Sequence, residues 1–177
     1  MIYLFLADGF EEIEALACVD ILRRAGADIK TAGVTGTTVA GAHGINVEAD
    51  MPISECGFDA EMVILPGGSV GTDNLAASPE VAALVKDAAQ RNAYVAAICA
   101  APTVLGGLGL LEGRRAVCYP GLEGRLTGAK KSSDRVCVDG RFITSRGPGT
   151  TSEFALTLVE ILKGRAAADA LRKGMLW

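Results

Sequence analysis

Short apolar runs that no polar residue interrupts alternate along this chain with stretches of helical period. Ile2–Leu6, Met62–Leu65 and Tyr94–Ile98 are the clearest of them. A strand with one wet face alternates apolar and polar residues, whereas an unbroken run has both faces buried. Both faces are buried when helices cover each side of a mostly parallel sheet, and strand–helix–strand order supplies those helices. The expected fold class is therefore α/β, a three-layer flavodoxin-like sandwich with a mostly parallel central sheet. The chain has 177 residues and no linker, repeat or low-complexity tract, so residues 1–177 are expected to form a single domain. Half of the residues are hydrophobic but only 5% are aromatic, so small apolar side chains must fill the core.

Further strands are expected at Asp28–Val34, Thr37–Val39, Ile45–Glu48, Ala116–Cys118, Arg135–Val138 and Phe142–Ser145. Helices are expected at Phe10–Ala25, Pro79–Arg91, Ala100–Leu108, Thr151–Lys163 and Ala166–Lys173. Ser78 is placed to cap the second of these, with Pro79 at its first position. Functional groups in such sheets lie beyond the carboxyl ends of the strands. That directs attention to the segments after Leu6, Leu65, Ile98, Cys118 and Ser145.

Several function classes fall away. A net charge of −4 offers no basic footprint for nucleic acid or an anionic membrane. Met1–Ala7 is too short to span a bilayer and lacks the basic flank of a signal peptide. The 5 cysteines, Cys18, Cys56, Cys99, Cys118 and Cys137, are odd in number and include no CxxC, so no zinc pair or thioredoxin motif is present. Free thiols without an export signal predict a reducing cytoplasm. The single histidine, His43, sits in a glycine-flanked turn, which argues against a His-rich metal site or a Ser-His-Asp triad. No cofactor is expected: Pro66-Gly67-Gly68-Ser69-Val70-Gly71 matches neither G-x-G-x-x-G nor a Walker A loop. A nucleotide- or flavin-binding module would rest on fold analogy alone.

The nucleophile candidate is Cys99. It follows the strand Tyr94–Ile98, and Ala97 and Ala101 stand two residues to either side. Small residues in those places mark a nucleophile elbow, a sharp strand-to-helix turn that brings backbones together. The turn would hold Cys99 in a strained conformation at a helix N-terminus, where N–H groups favour a thiolate. The alternative is a buried structural thiol. Cys18, Cys56 and Cys137 read as packing residues, and Cys118 as a packing or resolving thiol.

Glu14 is the carboxylate candidate. At 100° per residue it falls on the arc of Phe10, Ala17, Cys18, Ile21 and Ala25, the apolar face of its helix, while Glu12 falls on a polar side. Glu14 is either a rim carboxylate in solvent or a buried acid of raised pKa that can share a proton with Cys99. Glu11 and Glu12 read as first-turn charges complementing the helix dipole. Backbone N–H groups of Gly67 and Gly68 could approach an oxyanion. Ser145-Arg146-Gly147-Pro148-Gly149-Thr150 either frames the pocket or forms a tight turn.

Four stretches together resemble the ThiJ/PfpI superfamily, in the branch containing the Parkinson disease deglycase and its bacterial relatives. They are Asp8–Glu14, Leu65–Gly68, Ala96–Pro102 and Thr144–Thr150, in order and over nearly the whole chain. The resemblance implies a flavodoxin-like homodimer with Cys99 as reactive cysteine and Glu14 hydrogen-bonded to it. It implies an oxyanion side built from the backbone of Gly67–Gly68 and Cys99–Ala100. It further implies a pocket bordered by Tyr119, Arg146, Gly147 and Pro148. The activities it implies are cofactor-free conversion of methylglyoxal or glyoxal to hydroxy acids and repair of glycation adducts, on a small aldehyde or glycated substrate. The alternative is a redox sensor or chaperone-like stress protein using the same thiol with little turnover. Two departures stand out. The protease-like branch has His directly after the cysteine, where this chain has Ala100. The deglycase branch often has His before a Pro, where this chain has Tyr119 before Pro120. A phenol, with an ordinary pKa of ~10, is a poor base at neutral pH.

Overall fold

In a computed structural model that describes residues 1–177, the chain winds around one seven-stranded sheet. In chain order the elements are β1 (Ile2–Leu6), α1 (Glu12–Arg24), β2 (Ile29–Gly33), β3 (Thr38–Ala40), β4 (Asn46–Glu48), β5 (Met51–Pro52), β6 (Met62–Leu65), α2 (Ser69–Ala77) and α3 (Pro79–Gln90). There follow β7 (Tyr94–Ile98), α4 (Pro102–Gly107), β8 (Arg115–Ala116), β9 (Lys130–Lys131), β10 (Val136–Asp139), β11 (Phe142–Ser145), α5 (Thr151–Lys163) and α6 (Arg165–Gly174). The sheet order is β10-β11-β7-β6-β1-β2-β5, parallel throughout except for the β10–β11 edge pair. The α/β class and the mostly parallel, helix-covered sheet are as the unbroken apolar runs require.

Alternate residues of each central strand feed different layers. Ile2, Leu4, Leu6, Met62, Ile64, Ala96 and Ile98 join a core with α1 and α5. Tyr3, Phe5, Val63, Leu65, Val95 and Ala97 join a second core with α2, α3 and α4. Each fully buried Leu or Ile adds ~1.5–3 kcal/mol through removal of its surface from water.

Four local expectations need correction. The helix expected from Phe10 begins at Glu12: Phe10 N–H turns back to Ala7 O, and the Glu11 side chain caps the helix by accepting from Ile13 N–H. The stretch after Gly68, read as glycine loop, is helix α2, because glycine at 71 lets the helix lie against the Gly9 backbone. The expected strand Ala116–Cys118 is only Arg115–Ala116, paired with β9 outside the main sheet. Glu12, expected on a polar face, is buried because the β3–β4 hairpin folds over it.

Candidate active site

Three connections converge at the carboxyl edge of the central strands: the turn from β7 into α4, the Pro66–Gly68 link from β6 into α2, and the link from β1 into α1. Cys99 occupies the first. Its φ is +65°, one of only three positive values among non-glycine residues, and such backbone costs ~1–2 kcal/mol. Neighbouring chain enforces it. Cys99 N–H donates to Ser145 O at 2.9 Å, and Tyr119 N–H donates to Cys99 O at 2.7 Å. The strained elbow foreseen from Ala97 and Ala101 is therefore present. The steric demand falls hardest on Gly67, where a Cβ would lie 2.6 Å from Cys99 Cβ and 2.7 Å from Glu14 Oε2.

Glu14 lies behind the sulfur and is 0% exposed, a buried acid rather than a rim carboxylate. Gly67 N–H donates to its Oε2 at 2.8 Å, while Oε1 is buried without a nitrogen or oxygen partner. Burial raises the Glu14 pKa to about 7, helped by the nearby Glu11 charge and opposed by the hydrogen bonds from Gly67 and Cys99. The elbow predicts a thiolate, whereas the surroundings of the sulfur favour the thiol. Burial and the Glu14 charge push Cys99 up to about 12, against hydrogen bonds from Gly68 and Ala100 N–H that favour the anion. The helix expected to stabilise the anion, α4, is only 6 residues long. Near neutrality the thiol therefore keeps its proton, and Glu14 is the group whose charge changes there.

The backbone donors divide differently from the expectation. Gly67 N–H is committed to Glu14, and Cys99 N–H to Ser145 O. Gly68 and Ala100 N–H remain directed at the sulfur. The pocket in front of it has a volume of about 520 Å³ and is bordered by Cys99, Gly68, Ala100, Tyr119 and Pro148 among the expected residues. Arg146 and Gly147 do not border it; they line a recess of about 260 Å³ on the other side of Tyr119, whose ring packs on Gly147.

Besides Pro120, Gly121 and Leu122, four polar pocket residues escaped the sequence reading: Glu11, Ser69, Thr72 and Arg125. Ser69 and Thr72 are three apart on α2, a spacing visible once that helix is recognised. Arg125 enters from a distant loop with no local signal. His43 lies outside the pocket. Its backbone N–H and Nδ1 both meet Glu12, at 2.7 and 2.8 Å, and this clamps the hairpin to α1. The clamp explains why Glu11, Glu12 and His43 cluster within 4.8 Å of one another. Cys118 is buried and donates its S–H to Tyr119 O. All five cysteines are free, and no helix is long and apolar enough to cross a membrane.

Comparison with known proteins follows the same geometry. The profile of the DJ-1/PfpI family matches residues 1–161. The chain belongs to the DJ-1/PfpI family. Protein DJ-1 homolog A of Arabidopsis thaliana is 42% identical over 169 residues, which cover 93% of this chain and 43% of that protein. This chain thus spans less than half the length of that relative. Glutathione-independent glyoxalase DJR-1.2 of Caenorhabditis elegans is 35% identical over 166 residues, covering 92% of this chain and 88% of that one. Among solved structures, a cysteine-to-alanine mutant of a DJ-1 superfamily protein from Salmonella typhimurium superposes with a TM-score of 0.95 at 36% identity, covering 99% and 97% of the two chains. The DJ-1/PfpI family thus includes a protein named as a glyoxalase that works without glutathione.

Proposed function

We propose that this DJ-1/PfpI chain is a cysteine-dependent, cofactor-free enzyme of the glyoxalase/deglycase class, acting on small α-oxoaldehydes such as methylglyoxal. The observation that carries the reading is a strained cysteine at a pocket wall, backed by a buried carboxyl whose pKa is raised to about 7. A general base of that pKa is half ionised at neutral pH, where proton transfer in both directions is easiest.

The chemistry runs as follows on methylglyoxal. Cys99 Sγ attacks the aldehyde carbon while Glu14 accepts the thiol proton. The carbonyl π pair moves to oxygen, held by Gly68 and Ala100 N–H; one such donor is worth ~2.7–4 kcal/mol. Glu14 returns its proton to that oxygen, giving a hemithioacetal. A base then takes the proton on the former aldehyde carbon, and the electrons flow through an enediol to the neighbouring carbonyl carbon, which is reprotonated. The aldehyde carbon is oxidised to a thioester and the ketone carbon reduced to an alcohol, so no external electron carrier is required. Water cleaves the thioester to lactate and restores the thiol. Glu11 also borders the pocket, but its carboxylate caps α1 at Ile13 N–H and lies 3.6 Å from His43 Nδ1, so the carbon-to-carbon transfer is assigned to Glu14, the carboxyl hydrogen-bonded to Cys99.

We further propose that two copies pair through α1, where Ile13 and Leu16 are exposed apolar residues. Light scattering at micromolar concentration tests the pairing, and Ile13→Lys should shift mass toward the monomer.

The activity is tested with purified protein and methylglyoxal, following lactate by chiral chromatography. Cys99→Ser should abolish lactate formation, and Glu14→Gln should reduce it by ~100-fold or more, the contribution of a positioned acid–base group. Lactate formation by Cys99→Ser at the wild-type rate removes the reading. Sulfinate at Cys99 after mild peroxide, with no turnover by wild type, favours the redox-sensor alternative.

A further inference from the structure

The pocket is far larger than the aldehyde just described. Cavities of ~300–1,000 Å³ hold ligands well beyond three carbons, and this one is about 520 Å³. It is also polarised. Glu11 is its single carboxylate-bearing lining residue, with the carboxylate turned to Ile13 N–H and His43, and Arg125 its single cation. Arg125 comes from the loop after β8 and approaches Asp73 of α2 at only 3.7 Å, with both side chains more than half exposed. A loose, exposed pair of this kind adds little and leaves most of the five guanidinium donors free.

The wall between Arg125 and the sulfur is the first turn of α2. No side chain caps that turn, and Ser69 and Thr72 both border the pocket. Thr72 is 1% exposed, and its hydroxyl has no hydrogen-bond partner in the protein. A buried hydroxyl without a partner costs ~1–3 kcal/mol, so such groups are rare unless something else satisfies them. Gly71 N–H of that turn donates to Gly9 O, but no side chain caps the turn, and a helix start of this kind together with an orphaned hydroxyl and a guanidinium on one cavity is complementary to an oxyanion.

We propose that Ser69, Thr72 and Arg125 form a second subsite, which holds a carboxylate at the far end of an aldehyde substrate. The inference rests on the reading of Cys99 as the group that meets the aldehyde carbon. In the bound adduct the thiol sulfur bonds to that carbon, the carbonyl π pair becomes a lone pair on oxygen, and the thiol proton ends there. The tail then lies across the first turn of α2 toward Arg125. Substrates of this class are ω-carboxy aldehydes and dicarbonyls, against the neutral methylglyoxal.

Succinic semialdehyde and butanal, both four carbons long, test the subsite. Each protects Cys99 from iodoacetamide, followed by intact mass. Wild type should be protected by the carboxylate at a concentration about tenfold lower than by butanal, as a charge-assisted hydrogen-bond pair provides. Arg125→Gln should bring the ratio close to one. Thr72→Val, which keeps the shape and removes the hydroxyl, should lower it about threefold, and Thr72→Ser should restore it. A ratio that Arg125→Gln leaves unchanged overturns the proposal. Succinate, which has no carbonyl to attack, separates the two readings. Its thermal stabilisation of wild type should vanish in Arg125→Gln even if Cys99→Ser still makes lactate and the thiol reading falls. No stabilisation by succinate, together with equal protection by the two aldehydes, sinks the subsite and leaves the thiol chemistry standing.

Discussion

Replacing Glu14 by Gln should change how stability depends on pH, and the size follows from the burial of one carboxyl. In the unfolded chain Glu14 loses its proton near the ordinary value of 4.5; in the fold it holds it to about 7. At ~1.4 kcal/mol per unit this is about 3 kcal/mol. Because the folded value is the higher one, the contribution is fully present below pH 4.5 and is lost as pH rises through 7. Glu14→Gln, isosteric and uncharged, carries no such loss. Wild type should therefore fall relative to the variant by ~3 kcal/mol between pH 4.5 and 8, or ~6–12 °C in Tm for a chain of this size. Urea unfolding of both proteins at four pH values measures the difference. Glu12, Glu48 and Asp50, whose carboxyls hydrogen bonds hold below their usual range, are common to both proteins and cancel. Parallel stability curves would falsify the claim that Glu14 is a buried acid beside the sulfur.

Three other outcomes follow from the same geometry. Cys99→Gly should be more stable than Cys99→Ala by ~1 kcal/mol in denaturant unfolding, because glycine adopts the φ of +65° without strain. Gly67→Ala should destabilise by ~1–3 kcal/mol and abolish lactate formation, since the new methyl would occupy the gap between Cys99 and Glu14. Glu12→Ala should free the β3–β4 hairpin, seen as faster amide exchange at His43, whose N–H loses its acceptor.

The strand runs and the elbow were legible because they are local. Unbroken apolar segments state that both faces are covered, whatever covers them. Cys99 follows a strand with the small residues Ala97 and Ala101 to either side, a local pattern that marks the sharp turn even though Ser145 and Tyr119 hold it in place. Glu14 was legible for a different reason: helical geometry places it among Cys18 and Ile21, and a carboxyl on an apolar stripe needs an explanation. Glu12 was misjudged by the same geometry, because the element that buries it is a hairpin some thirty residues away. Arg146 and Gly147 lie in a stretch that fits the family pattern, yet they line the neighbouring recess, where the Tyr119 ring packs on Gly147, and not the pocket of the sulfur.

Sequence alone determined the covered parallel sheet, the cysteine at its edge and the acid on the inward stripe, because each depends on periodicity or on residues a few positions apart. The tertiary structure decided which protons and donors are free. Gly67 N–H goes to Glu14, Cys99 N–H goes to Ser145, and the sulfur is left buried beside a carboxyl, both of which raise its pKa. It also decided the character of the pocket, by bringing Arg125 opposite Ser69 and Thr72. Ionisation and ligand preference depend on distances between residues far apart in the chain, and those distances exist only after the layers have packed.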